Sequence, residues 1–334
     1  LPLLNPAKSP PSMLQPIFEA VREDFEAVDA LIIESLNSDI PLVEEISAYI
    51  IKAGGKRLRP LLVLLAARAS GYKGSEHIKL AVIIEFLHTA MLLHDDVVDN
   101  SSLRRGRATA NATWGNAASV LVGDFLHSRA FEMMVEIGNL DVMGLLSKAT
   151  NGIAEGEVQQ LMYLRDPEIT ETIYREVIYR KTALLFEVAA HSGSVLANAH
   201  ETTRRALNHF GKHLGIAFQL MDDLLDYDGT TCDLGKNIGD DLAEGKMTLP
   251  LIVALRQGSE QDAALIRSAV NNPGTADALP AILKAVDTSG GLQYTLEQAL
   301  AQRGLALDAL CALPDSPFKQ ALIQLIEFSV NRQT

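Results

Sequence analysis

Long apolar segments with helical periodicity constrain the fold of this chain more than any other feature. The segment "LAVIIEFLHTAMLL" (residues 80–93) is almost wholly apolar, and its branched residues recur at the spacing of one helix face: Leu80, Ile83, Ile84 and Leu87. Alternating β-branched patterns are scarce, and aromatic residues make up only 5% of the chain. The pattern therefore predicts an all-α fold.

The same periodicity recurs along the 334 residues and predicts a succession of helices. We expect shorter helices near the C-terminus and long helices over roughly 76–99, 116–137, 141–165, 171–196, 201–227 and 247–257. Thr170 precedes one of these segments and Gly138 follows another, as start and stop signals do. Because no Gly/Ser linker, low-complexity run or internal repeat divides the chain, we predict a single domain over residues 13–334. Residues 1–12, which precede the first methionine, are predicted to be an extension that is disordered or foreign to the native chain.

Charge and cysteine content argue against several classes of protein. The net charge of −13 disfavours a nucleic-acid-binding protein, which usually has a basic surface. Two cysteines, Cys232 and Cys311, are too few for a disulfide framework and favour a reducing compartment, although one disulfide between them stays open. The longest apolar segment is interrupted by Glu85 and His88, and the start shows no secretory signal. We therefore expect a cytoplasmic protein without a transmembrane segment or a nucleic-acid partner.

Three aspartates follow the apolar segment in "HDDVVDN" (94–100), and the same spacing recurs in "MDDLLDYD" (221–228). At 3.6 residues per turn, each set falls within an arc of roughly 100° on one helix face. A solvated helix end is the simplest interpretation of one such set. Carboxylates this close repel each other unless a cation lies among them, so the repetition favours metal binding and predicts opposing walls of one site. The six aspartates are Asp95, Asp96, Asp99, Asp222, Asp223 and Asp226.

Basic residues gather beside these acidic motifs although the chain as a whole is acidic. They occur in "GGKRLRP" (54–60), "SLRRGRATA" (102–110), "RKTALLF" (180–186) and "LGKNIGDDLAEGKMTLP" (234–250). Lysine and arginine bind phosphate oxygens, and Mg²⁺ usually completes its shell of oxygen ligands with substrate phosphates. The combination predicts a diphosphate substrate bound through Mg²⁺, and the apolar helices leading to the motifs suit a hydrocarbon tail.

As a set, these motifs, with "VGDF", "AEGE" and "FQLMDDLLD", resemble those of the all-trans polyprenyl diphosphate synthases, and within that family the bacterial octaprenyl-type enzymes. The similarity runs from about residue 15 to the C-terminus. The resemblance implies a single large helical bundle of the isoprenoid synthase type with a central active-site cavity. It also implies a homodimer formed through the region of helix 116–137, and transient membrane contact for product release.

The implied reaction is head-to-tail transfer of an allylic prenyl group to isopentenyl diphosphate. Farnesyl diphosphate would be the primer, and the product would be an octaprenyl diphosphate for quinone side chains. The resemblance assigns two Mg²⁺ ions to the first aspartates and a third to Asp222, with Asp223 and Asp226 nearby, and Mn²⁺ as a substitute. Released diphosphate would remove the proton, so no side chain need act as nucleophile.

The resemblance also assigns the remaining site residues. The allylic diphosphate would be bound by Arg104, Lys181, Lys236 and Lys246. Isopentenyl diphosphate would be bound without metal by Lys56, Arg59, His88 and Arg105. Oxygen dipoles near the carbocation would come from Thr182 and Gln219. Chain length would be set by Ala90 and Met91 below the allylic site. We expect the tunnel floor near Leu146 or other apolar residues of helix 141–165. Helix spacing independently places His88 two turns before Asp95, and Gln219 one turn before Asp223.

Three other functions compete with this prediction. A shorter-chain farnesyl or geranylgeranyl diphosphate synthase would carry the same motifs. A terpene cyclase shares the helical fold and one acidic motif, but such enzymes usually lack the second motif and "GGKRLRP". A non-catalytic subunit of a heteromeric synthase typically loses aspartates or the first basic motif, and none is lost here. A purely structural bundle would not explain the paired charges.

Overall fold

The computed structural model describes residues 13–228, 239–271 and 278–331, and most of these residues are helical. The helices are α1 (Gln15–Glu19), α2 (Arg22–Ser35), α3 (Pro41–Lys52), α4 (Leu58–Ala69), α5 (Glu76–Val98), α6 (Ala110–Trp114), α7 (Asn116–Ile137), α8 (Leu140–Met162), α9 (Glu171–Ile178), α10 (Leu184–Leu196), α11 (Glu201–Leu225), α12 (Asp240–Glu244), α13 (Leu249–Gln257), α14 (Glu260–Asn271), α15 (Leu279–Thr288), α16 (Gly291–Leu310) and α17 (Pro317–Asn331). Strands β1 (Leu103–Arg104) and β2 (Arg107–Ala108) form an antiparallel hairpin. The all-α prediction is confirmed.

The long helices agree with the predicted segments within a few residues, apart from one interruption. The segment predicted over 171–196 consists of α9, a single π-helical turn (Tyr179–Ala183) and α10. Sequence periodicity did not predict α1 to α4 or the hairpin, and α16, at 20 residues, is longer than the short helices expected there. α4 is buried on almost every side, so its apolar residues show no amphipathic stripe.

Among the described helices, none is both long and apolar enough to cross a bilayer.

Two predicted helix boundaries have the local structure that their residues favour. The Thr170 hydroxyl accepts a hydrogen bond from the Ile173 N–H (3.3 Å) and so caps the start of α9. Gly138 ends α7 in the left-handed conformation, with a φ of 67°. Both signals could be read from the sequence because they depend on neighbouring residues alone.

The contacts divide the chain into two compact units. Unit 1 contains residues up to Thr150 together with Leu185–Gly211 and Ala309–Leu325. Unit 2 contains Asn151–Leu184, Lys212–Asp308 and the residues from Ile326 onwards. The single domain over residues 13–334 stays a prediction, and the predicted extension of residues 1–12 lies outside the described residues.

In unit 1, α5 lies at the centre and packs against α2, α4 and α7. α10 approaches α4 closely at Gly193, where an added Cβ would lie 2.9 Å from the Val63 carbonyl oxygen. Burial on most sides makes α5 a rigid support for the residues at its C-terminal end.

In unit 2, α13 packs against α9, α14 and α15. α11 passes close to the π-helical turn at Gly215, where an added Cβ would lie 2.5 Å from the Ala183 Cα. The absence of a side chain at Gly215 therefore lets the two backbones meet one turn before Gln219.

Candidate active site

The first acidic site lies at the end of α5 in unit 1. Asp95 and Asp96 occupy the last turn, and the Asp99 N–H bonds to the Asp95 carbonyl (2.8 Å) to close the helix. Asp96 is fully buried, its Oδ1 accepts a hydrogen bond from Arg104 Nε (2.8 Å), and the same oxygen lies 2.8 Å from Arg104 Nη2 in an ion pair. Burial raises the pKa of Asp96, and the Arg104 charge opposes that rise. Within the described residues, Asp96 Oδ2 has no hydrogen-bond partner.

The hairpin brings Arg104 back onto Asp96. Its two turn residues, Arg105 and Gly106, have positive φ angles of 54° and 73°, as a two-residue hairpin turn of the primed type requires. Asn111, which sequence reasoning missed, donates from Nδ2 to the carbonyls of Asp96 and Ser101, both at 3.1 Å. The loop after the first acidic motif is therefore tied to the helix end on both sides.

The basic loop before α4 lies against the same hairpin in unit 1. An added Cβ at Gly55 would lie 2.7 Å from Arg105 Nη1, so the glycine makes room for that guanidinium. Arg57 adopts the left-handed conformation (φ 44°) and forms an ion pair with Asp29 of α2. Gly55 and Arg105 thus bring two predicted basic motifs together, although 50 residues separate them in sequence.

His88 completes this basic cluster. Its Nε2 lies 3.2 Å from Arg59 Nη1, and the Arg59 guanidinium stacks 4.3 Å from the centre of the Phe186 ring. Burial and then the charge of Arg59 hold the pKa of His88 well below its usual range, so its imidazole is neutral. The structure therefore brings together three of the four residues predicted for isopentenyl diphosphate, Arg59, His88 and Arg105, and the fourth, Lys56, lies in the loop that precedes α4.

Glu85, one turn before His88 on α5, is a second residue that sequence reasoning left without a role. Burial raises the pKa of Glu85, while the charges of Arg57, Arg59 and Arg105 oppose the rise. A glutamate within an almost wholly apolar helix was the available signal. Its position indicates that it helps to hold the arginine cluster together.

The second acidic site lies on α11 in unit 2. Asp223 is only 2% exposed, and its Oδ1 accepts from the Gln219 Nε2 (2.7 Å). Its Oδ2 accepts from the Tyr174 hydroxyl of α9. Burial, and then the charge of Asp241, raises the pKa of Asp223 to about 8. The predicted contact between Gln219 and the second acidic motif is therefore present, and Tyr174 is an addition to the site.

The π-helical turn carries the predicted lysine and threonine. The Thr182 hydroxyl donates to Gln219 Oε1 (2.8 Å), and Lys181 Nζ donates to Glu157 Oε2 (2.6 Å) and Gln160 Oε1 (2.8 Å). π-helical turns are rare and occur frequently at functional sites. Here the turn presents two consecutive polar residues to α8 and α11.

The glycine of "AEGE" allows α8 to approach this turn. An added Cβ at Gly156 would lie 2.6 Å from the Arg180 Cβ and 3.2 Å from the Lys181 backbone nitrogen. On either side of the glycine, Glu155 pairs with Arg180 (2.8 Å) and Glu157 pairs with Lys181. The "AEGE" motif and the π-helical turn therefore form complementary ion pairs. The sequence could not predict these pairs because nothing in either motif indicates that the two are neighbours in the fold.

Residues in and next to α12 complete the second acidic site. The Asp241 N–H donates to Asp226 Oδ2 (3.3 Å), and Lys246 pairs with Glu244 (2.5 Å). A cavity of ≈ 110 Å³ lies in unit 2, and its lining includes Lys181, Thr182, Gln219, Asp223, Asp241 and Lys246. The predicted role of Lys236, like the open disulfide of Cys232, falls outside the described residues.

The donor atoms of both sites suit Mg²⁺. All candidate ligands are carboxylate oxygens, and Asp96 Oδ2 is a buried oxygen without a partner in the described residues. In the same residues, no group of three or more His, Cys, Asp or Glu side chains is arranged to hold a metal alone. Mg²⁺ in proteins is usually bound by one or two carboxylates, and substrate phosphates and waters complete its shell. The six metal-binding aspartates remain a prediction.

The three predicted chain-length residues lie in unit 1. Ala90 and Leu146 are buried, with exposed fractions of 1% and 0%, whereas Met91 is partly exposed. Ala90 and Met91 lie on α5, and Leu146 lies on α8. Their role in product length remains a prediction.

The chain is similar to proteins of one known family. The family model described as polyprenyl synthetase matches residues 40–286. The octaprenyl diphosphate synthase of Escherichia coli is 50% identical over 96% of this chain and 99% of its own length. An all-trans-nonaprenyl-diphosphate synthase of Rhodobacter capsulatus, described as geranyl-diphosphate specific, is 47% identical over 95% of this chain and 98% of its own.

Solved structures of polyprenyl synthases are also similar to this chain. A polyprenyl synthase from Caulobacter crescentus, crystallised with calcium and isoprenyl diphosphate, matches with a TM-score of 0.93 and 42% identity, over 98% of this chain and 100% of that one. A decaprenyl diphosphate synthase from Rhodobacter capsulatus matches with a TM-score of 0.91 and 45% identity, over 95% and 98%.

Proposed function

This chain belongs to the polyprenyl synthetase family and is a trans-prenyltransferase, and we propose that it builds an octaprenyl diphosphate from farnesyl diphosphate and isopentenyl diphosphate. The observation that carries the proposal is the pair of unlike sites in unit 1. The buried carboxylate of Asp96, whose Oδ2 has no hydrogen-bond partner in the described residues, lies beside a cluster of arginines and a neutral histidine. The first suits a diphosphate bound with metal, and the second suits a diphosphate bound by cations alone.

We propose Mg²⁺ as the metal, held by the first aspartates and by Asp222, with Asp223 and Asp226 nearby. The similar Caulobacter structure, with calcium and isoprenyl diphosphate, supports this pairing of a divalent cation with a diphosphate. When bound, Mg²⁺ would offset the negative charge that builds on the departing diphosphate.

The residues of this chain would share the work of ionising the allylic substrate. Lys181, Lys246 and Arg104 now pair with Glu157, Glu244 and Asp96, and each would turn toward diphosphate oxygens when substrate binds. Lys236 is proposed to bind the same diphosphate. Once these side chains contact the bound diphosphate, their positive charge would favour rupture of the allylic C–O bond without further rearrangement during the reaction. The apolar helices exclude water, which would otherwise capture the carbocation.

The basic cluster would hold isopentenyl diphosphate. Lys56, Arg59 and Arg105 would neutralise its phosphates, and neutral His88 would add a hydrogen bond. The double bond then attacks the allylic carbocation, a new C–C bond forms, and the released diphosphate accepts the proton. Thr182 and Gln219 would place oxygen dipoles near the cation.

Relatives of similar identity are named for products of eight to ten isoprene units. The Escherichia coli enzyme is an octaprenyl synthase, whereas the Rhodobacter capsulatus proteins are described as nonaprenyl and decaprenyl synthases. We therefore propose octaprenyl as the main product, within a range from hexaprenyl to decaprenyl, for use in quinone side chains. A farnesyl or geranylgeranyl product is the alternative. The cytoplasmic location and transient membrane contact during product release remain predictions.

We also propose that the protein is a homodimer. α7 exposes apolar side chains on the face away from the unit 1 core, with Leu121 at 66% and Val135 at 63% exposure. Leu140, at the start of α8, is 82% exposed. Large apolar side chains exposed along a helix support a surface that a second subunit covers.

The test is incorporation of labelled isopentenyl diphosphate into an extractable prenyl product. Purified protein with farnesyl diphosphate and Mg²⁺ should incorporate the label, and excess EDTA should abolish incorporation. A cyclase would consume the allylic diphosphate without incorporating label, and a non-catalytic subunit would do neither. Either result would contradict the proposed function.

A further inference from the structure

The Tyr174 hydroxyl is a polar group of the second acidic site to which the proposed reaction gives no role. Tyr174 lies on α9, is 3% exposed, and donates its hydroxyl hydrogen to Asp223 Oδ2. It also lines the ≈ 110 Å³ cavity of unit 2, together with Thr182 and Gln219. The buried hydroxyl therefore lies beside a cavity that residues of the proposed reaction line.

Tyr174 begins a continuous chain of hydrogen bonds. Tyr174 donates to Asp223 Oδ2, Gln219 Nε2 donates to Asp223 Oδ1 (2.7 Å), and Thr182 donates to Gln219 Oε1 (2.8 Å). These hydrogen bonds connect α9, α11 and the π-helical turn, all within unit 2. It ends on the two residues that the proposed function places near the carbocation.

The observed donors and acceptors set the orientation of the Gln219 amide. Both oxygens of Asp223 accept a hydrogen bond, one from the Tyr174 hydroxyl and one from Gln219 Nε2, so the NH₂ group of Gln219 faces Asp223. The Gln219 carbonyl oxygen must then point the opposite way, and it takes the only hydrogen of the Thr182 hydroxyl. The oxygen lone pairs of Thr182 take no part in that bond. A glutamine without such a partner could expose either its oxygen or its NH₂ group.

Orientation matters because the two ends of the amide have opposite effects on a cation. A carbonyl or hydroxyl oxygen stabilises positive charge that develops nearby, whereas an N–H group opposes it. Preorganised dipoles avoid the cost of turning during the reaction. The helix approach at Gly215 brings the turn and α11 close enough for the Thr182–Gln219 bond to form.

We propose that Tyr174 is a positioning residue that acts through Asp223 to fix the Gln219 amide, and thereby Thr182, with their oxygen atoms available to the carbocation. This inference rests on the proposed function, because it assigns a role within the prenyl transfer step. It adds a residue of α9 to a site otherwise formed by the π-helical turn, α11 and α12.

The test begins with Tyr174→Phe, which removes the hydroxyl and keeps the buried ring. We expect kcat to fall by about tenfold or more, as misplacement of a reacting group does, with an unchanged Michaelis constant for isopentenyl diphosphate and an unchanged Mg²⁺ requirement. The matched control is Tyr294→Phe, since the Tyr294 hydroxyl also donates to a carboxylate, Glu171 (3.1 Å), outside the acidic site. The control should retain the wild-type kcat.

A double-mutant cycle separates positioning from a general structural role. If Tyr174 acts through Gln219, then Tyr174→Phe should lower kcat in the native background and have little further effect beside Gln219→Leu. A role confined to stability would lower the melting temperature and leave the kcat of the folded enzyme unchanged.

Each outcome decides a different point. An inactive wild-type protein would contradict the proposed function itself. An active wild type with an equally active Tyr174→Phe variant would overturn the positioning role alone, and so would multiplicative effects in the double mutant. Failure of Tyr174→Phe to fold would assign the hydroxyl to the fold and would overturn the inference as well.

Discussion

Asp96 differs from its neighbours in the first acidic motif because it is buried and bound to Arg104 through one oxygen only. Asp95 is partly exposed at the same helix end. The two residues should therefore respond differently when their carboxylates are removed, although both are predicted to bind metal.

We expect Asp95→Ala and Asp96→Ala each to lower kcat by at least about a hundredfold, because the charge on the departing diphosphate would lose its counterion. Asp95→Ala relieves repulsion between carboxylates, so its melting temperature without metal should equal or exceed that of the wild type. Asp96→Ala leaves Arg104 without its ion-pair partner, so its melting temperature should fall.

Steady-state kinetics and thermal unfolding in EDTA measure these two effects. The matched control is Asp287→Ala on the exposed side of α15, which should change neither quantity. Full activity of Asp95→Ala, or of the wild type in excess EDTA, would contradict the metal assignment.

Substrate assignment gives a second prediction at this scale. His88 bonds to Arg59 in the basic cluster, whereas Lys181 lies in the second acidic site. His88→Ala should mainly raise the Michaelis constant for isopentenyl diphosphate, by about tenfold for one lost hydrogen bond to a charged group. Lys181→Ala should mainly raise that for farnesyl diphosphate. If His88→Ala weakened only farnesyl diphosphate binding, the two assignments would be exchanged or wrong.

Individual site residues were predictable only where their partners lie on the same helix or in a motif. Helix spacing placed Gln219 beside Asp223, and that contact is present. Tyr174 lies 49 residues from Asp223, so only the packing of α9 on α11 brings them together. Asn111 likewise reaches Asp96 through a hairpin that the sequence did not predict.

At the scale of elements, the pairing of α8 with the π-helical turn depends on one glycine. Gly156→Ala would force its Cβ against Arg180 and the Lys181 backbone, and so disturb the ion pair between Lys181 and Glu157. We expect a raised Michaelis constant for farnesyl diphosphate and a melting temperature lower by several degrees.

Gly144→Ala on the same helix is the matched control. An added Cβ at Gly144 meets no atom within 4 Å, and alanine favours a helix over glycine by about 1 kcal/mol. This variant should be as stable as the wild type or more so. Equal behaviour of the two variants would show that the close approach at Gly156 has no functional role.

We expect α5 to set the product length, because the predicted chain-length residues Ala90 and Met91 lie on it one turn before the first aspartates. Phenylalanine at the buried Ala90 position should block a tunnel there and shorten the product to farnesyl or geranylgeranyl diphosphate. Chromatographic sizing of the dephosphorylated products measures this change. An unchanged product distribution in Ala90→Phe would contradict the tunnel, although not the prenyl transfer chemistry.

Elements were predictable wherever an amphipathic or long apolar pattern was present. The bounds of α7 agree with the predicted segment, because its apolar periodicity ends at a glycine. The π-helical turn within "YRKTA" was missed because a single widened turn leaves no mark in periodicity. The hairpin was missed because each of its strands has only two residues.

For the whole molecule, the exposed apolar side chains of α7 predict self-association. Light scattering at micromolar concentration should give a mass near twice 36.2 kDa. Leu121→Glu should weaken the dimer because it places charge on the apolar face. Leu300→Glu on α16, at a site 42% exposed, is the control and should leave the dimer intact. A sharp monomer mass for the wild type would contradict the proposed assembly.

The fold and family could be predicted for the whole molecule, because a set of specific motifs spans most of the chain. Product length could not be predicted as firmly. It depends on how side chains such as Ala90, Met91 and Leu146 fill the interior, and proteins of 45–50% identity are described by different chain lengths. Those residues are apolar whether they line a tunnel or a core, so their types alone do not distinguish the two.

The most direct measurement of the central claim is the length of the product made by the wild-type protein. Purified protein is incubated with isopentenyl diphosphate, farnesyl diphosphate and Mg²⁺, and the dephosphorylated product is sized by mass spectrometry. The account predicts a linear all-trans prenol of about eight isoprene units, with shorter chains as minor intermediates. A product that stops at farnesol or geranylgeraniol, or a cyclic hydrocarbon, would contradict it.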